Sequence, residues 1–318
     1  MQAELPALVG QRPVAALGKF DSLHAGHRAL ARAAAALGDA NLVRLTQVER
    51  ALGKPEQAPI AACSDRPRVL TAWSTVASEA ELPLPSVMAL SPEEFVGTLA
   101  YMGAFGVCAG SDFRFGKHRK GDTSSLLRLA REYNMFCDVV DVELDSSNAR
   151  KLASSSRVRQ LLSDGMPAAA SHILERPHRV VLHRPHDRST SNGNGTLPTT
   201  ASPASAKQHA DGRSRNHHGA KFQATNLAPA PGEYLACVLH GNGHAKPSTL
   251  LAHNARVHID EHGLVDLGEA AADAEPLNNA AIDLFHGPGD AIDATAFTVA
   301  DLQARVREEN AQQLAFHS

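Results

Sequence analysis

Gly18-Lys19-Phe20-Asp21-Ser22-Leu23-His24-Ala25-Gly26-His27 decides how this chain is read. An apolar run, Val14-Ala15-Ala16-Leu17, precedes it and reads as a buried strand. Arg28 to Leu37 follows, alanine-rich and strongly helix-forming. A strand that turns sharply into a helix collects free backbone N–H groups and the positive end of the helix dipole at one spot, which attracts phosphate. Gly18 and Gly26 let the backbone approach a ligand closely. His24 and His27 lie three apart and share a face in a first helical turn. Singly, a histidine there is a cap and a glycine pair is a turn. The ordered set points to a polyphosphate whose charge must be stabilised during transfer.

The chain has 318 residues, enough for one large domain or two ordinary ones. Its net charge of −3 excludes a global basic field for nucleic acid or membrane surfaces. No apolar run approaches the ~20 residues that span a bilayer. Cys63, Cys108, Cys137 and Cys237 are scattered, which suggests a reducing compartment and no zinc site. The first dozen residues show neither a signal-peptide core nor an Arg/Ser-rich transit segment.

Residues 13 to 183 alternate strand-like and helix-like segments. Strands are expected at Asn41–Val48, Val87–Leu90, Gly106–Ala109 and Met135–Val142. Helices are expected from Asp65, a possible cap, to about Ser78, from Ser91 to about Met102 and from Thr123 to Tyr133. This is the rhythm of a parallel, doubly wound sheet, which binds ligands at the carboxyl ends of its strands. Residues 184–220 are polar, with almost no large apolar side chain, and read as a disordered linker. Beyond them, Glu233–Leu239 and Ala255–Asp260 read as strands and Val299–Leu314 as a terminal helix.

Two further stretches carry chemistry. Gly110-Ser111-Asp112-Phe113-Arg114-Phe115-Gly116 follows the Gly106–Ala109 strand. Its cations can clamp phosphate and its aromatics can pack on a ring. Ser154-Ser155-Ser156-Arg157-Val158-Arg159 opens an apolar-periodic helix. Hydroxyls there are N-caps, and with arginines they also build an anion site.

In this order the three motifs resemble the FAD synthetase (FMN adenylyltransferase) module of bacterial bifunctional riboflavin kinase/FAD synthetases and of plastid FAD synthetases. Ala61–Thr71 and Leu174–Arg179 are similar to the plant-type proteins. Two departures are mild: bacterial members carry glycine where Ser22 stands and threonine where Ser156 stands. The resemblance implies a Rossmann-like nucleotidyltransferase over residues 1–183 that makes FAD and pyrophosphate from ATP and FMN. By it, His24, His27 and Arg159 are catalytic. Gly18, Phe20, Asp21 and Gly26 shape the nucleotide loop, and Ser155 and Ser156 bind ATP phosphates. Asp112 and Arg114 help hold nucleotide or flavin. Magnesium accompanies ATP, with no protein metal cage expected. The partners are these small molecules, with no nucleic acid and no membrane. The implied compartment is the plastid, for which this chain shows no transit peptide, and otherwise the cytoplasm.

Phe222-Gln223-Ala224-Thr225-Asn226-Leu227 followed by Pro231-Gly232-Glu233-Tyr234 resembles, more faintly, the riboflavin kinase signature. Gln223 and Ala224 replace its proline and threonine. Residues 221–318 are therefore expected to form a degenerate, kinase-like β module without kinase activity. The rival functions are another nucleotidyltransferase of the same superfamily and a non-catalytic flavin- or nucleotide-binding regulator.

Overall fold

The structure, a computed structural model, describes residues 5–141, 144–145, 148–184, 221–240, 249–268 and 279–288. Pro13–Gly18 forms β1 and Ala25–Leu37 forms α1. Then come β2 (Asp39–Thr46), α2 (Val48–Ala51), α3 (Arg66–Trp73), β3 (Ser78–Pro83) and α4 (Leu84–Val87). They are followed by α5 (Pro92–Tyr101), β4 (Gly106–Gly110), α6 (Thr123–Glu132) and β5 (Phe136–Val140). The five strands are parallel, in the order β3-β2-β1-β4-β5.

Alternate side chains of β1 serve two cores. Val14 and Ala16 pack with Leu30, Ala31 and Ala34 of α1, whereas Ala15 and Leu17 pack with residues of α5 and α6. Burial on both faces is why β1 reads as a continuous apolar run. The strand order reverses beside β1, so a crevice opens at the carboxyl ends of β1 and β4. The start of α5 is fixed by a capping box, in which Ser91 Oγ accepts the Glu94 amide at 3.1 Å and Glu94 accepts the Ser91 amide at 2.7 Å.

The strand expected at Val87–Leu90 is a misreading. The third strand is β3, and Val87 ends the short α4. As an edge strand β3 buries Ala80 and Leu82, while Glu79 and Glu81 pair with Arg44 of β2. Charges alternating with apolar residues hide it from a search for apolar runs. The helix α3 also stops earlier than expected, where Ser74 turns left-handed at φ 51°.

A two-stranded ribbon of β6 (Leu144–Asp145) and β7 (Asn148–Leu152) leads to α7 (Ser155–Ser163) and α8 (Pro167–Leu174). The remaining strands are β8 (His178–His183), β9 (Lys221–Ala224), β10 (Gly232–His240), β11 (Thr249–Ile259), β12 (Leu264–Asp266) and β13 (Asn279–His286). They close an antiparallel barrel in the order β10-β11-β12-β9-β8-β13. Its interior is filled by side chains such as Leu182, Phe222, Tyr234, Ile259 and Ile282. The barrel opens with His178–His183, residues expected at the end of the first module, whereas the second was expected from residue 221. Only pairing reveals this, because Val180-Val181-Leu182 suits a strand of either module. The expected linker beyond Arg184 and the expected helix at Val299–Leu314 lie outside the described residues. Among the described residues no helix is long and apolar enough to cross a membrane.

Candidate active site

Between β1 and α1 the chain must turn within residues 19–24. Phe20 and Leu23 do so in left-handed backbone, at φ 49° and 51°. Such conformations cost on the order of 1 kcal/mol or more each and persist only where the surroundings hold them. Here both side chains are fully buried. Three arginines from later elements grip the loop. Arg66 of α3 donates to the Phe20 carbonyl at 2.7 Å. Arg176, just past α8, donates to the Ser22 and Leu23 carbonyls, each at 2.7 Å. Arg159 of α7 donates to Asp21 Oδ2 at 2.7 Å. Asp21 also accepts the Ile60 amide on Oδ1 at 3.4 Å and the Ala61 amide on its carbonyl at 3.1 Å. Ser22 Oγ lies 2.9 Å from Ser155 Oγ. At Gly18 a Cβ would stand 3.2 Å from the Phe20 ring, closer than an ordinary contact.

His24 caps α1. Its Nδ1 accepts the His27 amide at 3.4 Å, so the proton of the neutral ring sits on Nε2. The two imidazoles stack, with centroids 3.8 Å apart and an interplanar angle of 15°. Burial, and then the Arg176 charge, push His24 down to about 4 against the opposing pull of Asp21. Burial, His24, Arg66 and Arg176 hold His27 well below the ordinary histidine value. Both rings are therefore neutral at pH 7. His27 Nδ1 is buried and has no hydrogen-bond partner among the described residues.

A cleft of about 390 Å³ opens over this pair. Gly18, His24, Gly26 and His27 line it, together with Gly110 at the end of β4 and Asp112, Phe113 and Arg114 from the loop that follows. Asp141 and Ser154 complete the rim. Ser154 is the N-cap of α7, its Oγ accepting the Arg157 amide at 3.2 Å, so the starts of α1 and α7 meet at one cleft. Phe115 is buried against Phe95, and Phe113 stacks on it at 5.8 Å while lining the cleft. Lys19 also lines the cleft and pairs with Glu49 at 2.5 Å. Among the described residues no group of three or more potential metal ligands occurs.

The family described as FAD synthetase matches residues 9–156. The chain is 31% identical over 276 residues to FAD synthetase 1, chloroplastic, of Arabidopsis thaliana, covering 79% of this chain and 72% of that protein. The chain belongs to the FAD synthetase family. FAD synthetase 2, chloroplastic, of the same plant is 32% identical over 279 residues, covering 81% and 70% of the two chains. A bifunctional riboflavin kinase/FMN adenylyltransferase of Escherichia coli K12 is 28% identical over 179 residues, covering 52% and 55%. A solved structure described as a macrolide-efflux protein from Streptococcus pneumoniae matches 97% of this chain and 98% of its own, with TM-score 0.64 and 18% identity, a likeness of fold alone.

Within this FAD synthetase, the residues expected from sequence separate into two groups. His24, His27, Gly18, Gly26, Asp112 and Arg114 line the cleft. Phe20, Asp21, Arg159, Ser155 and Ser156 do not. Phe20 lies in the core beneath the loop, its ring 5.0 Å from that of His27. Arg159 and Ser155 are engaged by Asp21 and Ser22, and Ser156 is exposed. The hydroxyl at the cleft is Ser154, the first of the three serines, whereas the resemblance assigns the phosphates to Ser155 and Ser156. Asp65 stands at the N-cap position of α3, but its carboxylate turns to Arg68 and Arg179 instead. The loop-holding roles of Arg66 and Arg176 leave no local pattern, because each partner is at least 46 residues away.

Proposed function

We propose that this FAD synthetase transfers the adenylyl group of ATP to FMN. A phosphate oxygen of FMN attacks the α-phosphorus, the bridging bond to the β-phosphate breaks, and pyrophosphate leaves with that electron pair. Such a transfer needs positioning and charge stabilisation more than a protein nucleophile. The observation that carries the reading is the stacked imidazole pair over the start of α1, in a cleft that the start of α7 also meets. His24 Nε2–H faces a site where negative charge grows, as do the free N–H groups of two helix starts. An anion beside these depressed imidazoles favours their charged form, so phosphate and proton arrive together. Phe113 offers a ring face to flavin or adenine, with Asp112 and Arg114 beside it. Arg159 and Ser155 act in this reading as positioning residues through Asp21 and Ser22. Asp112 and Asp141 are too few for a metal cage and suit a magnesium ion that arrives on the polyphosphate, where it neutralises phosphate charge.

Riboflavin phosphorylation is absent in this reading. Support comes from Gln223 and Ala224, and from Asn226, whose side chain is wholly committed to structure. Asn226 Oδ1 accepts the Val181 amide at 2.9 Å, and Nδ2 donates to the Ile60 and Arg179 carbonyls, each at 2.8 Å. A plastid location is inferred from the two chloroplastic relatives, and fractionation of the source cells tests it.

Incubation of the purified chain with FMN, ATP and magnesium should yield FAD and pyrophosphate one for one, and riboflavin with ATP should yield no FMN. Tight binding of FMN and ATP with no FAD would favour the regulator. Adenylylation of some other acceptor in place of FMN would favour a different nucleotidyltransferase.

A further inference from the structure

We propose that the barrel is a working part of the transfer site, and that Asp283 at its rim is a positioning residue for the His24 loop. This rests on the adenylyl-transfer reading above. Two separate routes of contact connect the barrel to residues 20–24.

The first route is ionic and buried. Asp283 of β13 stands opposite Arg179 of β8 and receives its Nε and Nη2, each at 2.6 Å. Arg179 Nη1 reaches Asp65 at 3.5 Å, and Arg68 grips the same carboxylate at 2.7 and 2.9 Å. None of these four side chains is more than 8% exposed. Two carboxylates and two guanidiniums balance, which is what makes such burial tolerable. The set anchors the backbone beside both arginines that hold the loop carbonyls, while the Arg66 side chain is also held by Glu79, which accepts its Nε at 2.9 Å. Arg66 follows Asp65 directly, and Arg176 lies three residues before Arg179 on the segment entering the barrel. Arg176 bonds carbonyl groups; burial and the Arg68 charge lower it to about 10, against the opposing pull of Asp65.

The second route is made of neutral hydrogen bonds. Asn226, just after β9, donates to the Ile60 carbonyl at 2.8 Å, and the Leu227 amide donates to the Pro59 carbonyl at 2.8 Å. Residues 59–61 thus rest on the barrel, and the Ile60 and Ala61 amides donate to Asp21. The left-handed turn at Phe20 and Leu23 is held between these two supports. A barrel present only as a relic would need neither.

Asp283→Asn in the full chain tests this. It keeps the shape of the side chain but removes the charge facing Arg179, more than one residue layer away from the cleft. Misplacement of the loop should lower kcat about tenfold or more, while KM for ATP and FMN stays within about threefold, because the β4 and β5 walls are untouched. Hydrogen exchange of a peptide spanning 18–27 should quicken at a temperature where the variant is fully folded. A purely structural role would lower the melting temperature and leave both readouts unchanged per folded molecule, which overturns the proposal. Should Asp283→Asn give no cooperative melt, Arg176→Gln leaves the Asp283–Arg179 pair intact and must show the same two effects. If the unaltered protein makes no FAD, the functional reading falls, and the exchange of the loop peptide still decides the coupling.

Discussion

Lowering the pH from 7 to 5 should destabilise this fold before its paired carboxylates titrate. His24 and His178 are both buried, and both are held at about 4 against an ordinary value of 6.5. For His178, burial is the main cause, partly opposed by its 2.8 Å hydrogen bond from Nε2 to the Leu227 carbonyl. At pH 5 these rings are mostly protonated in the unfolded chain and mostly neutral in the folded one. The unfolded state then binds more protons, so stability is whole above pH 6.5 and drains away as the pH falls toward 4. For a shift from 6.5 to about 4, the loss between pH 7 and 5 is about 2 kcal/mol per ring, or about 4 kcal/mol for the two. His27 adds to it in the same direction. Such a loss is a large part of a total stability of about 5–15 kcal/mol. Asp65, held at about 2 chiefly by Arg68 and Arg179 against its burial, contributes only below the ordinary carboxylate value. Urea unfolding at pH 7, 6 and 5, followed by circular dichroism and by the fluorescence of Trp73, measures the effect. His178→Gln keeps a donor for Leu227 and should remove the His178 share, about 2 kcal/mol. Pyrophosphate should shrink the share of His24 and His27 and leave that of His178, because an anion at the cleft raises the values of the two rings that line it. Equal stabilities at pH 7 and 5, or an undiminished loss in His178→Gln, would refute the reasoning.

Other consequences are open to simpler measurement. His27→Ala should lower kcat for FAD formation by about 10²–10³. Its melting point should move little, since the ring stack is worth about 1 kcal/mol; near-normal turnover by the folded variant would sink the assignment. Arg159→Gln leaves Asp21 without its guanidinium and should cost about 3 kcal/mol or less, with a fall in kcat that Arg159→Lys partly restores; unchanged kcat in both would remove Arg159 from the site. Residues 185–220 should be dispensable, because β8 and β9 are antiparallel neighbours in which His183 pairs with Gln223. Joining Arg184 to Lys221 through a short Gly/Ser linker should leave KM for ATP and FMN within about twofold. A large loss of activity in a folded deletion would show that the segment reaches the cleft.

Where local chemistry acts alone, the sequence was enough. The apolar run of β1, the alanine-rich α1 and the Ser91–Glu94 cap are short-range patterns, and each forms as its residues demand. The residues lining the β1–α1 turn were legible for the same reason, because a strand, two glycines and two histidines in order define a helix start. Tertiary pairing decided the rest. The strand β3 exists because Arg44 and the edge of β2 accept a charged, half-buried partner. His178–His183 joins the barrel because β9 and β13 flank it. Which hydroxyl meets the cleft, and that Arg159, Arg66 and Arg176 hold the loop, depend on contacts between residues 46 to 154 positions apart. A charged side chain shows in sequence that it needs a partner, but only the folded chain determines which partner lies within 3 Å.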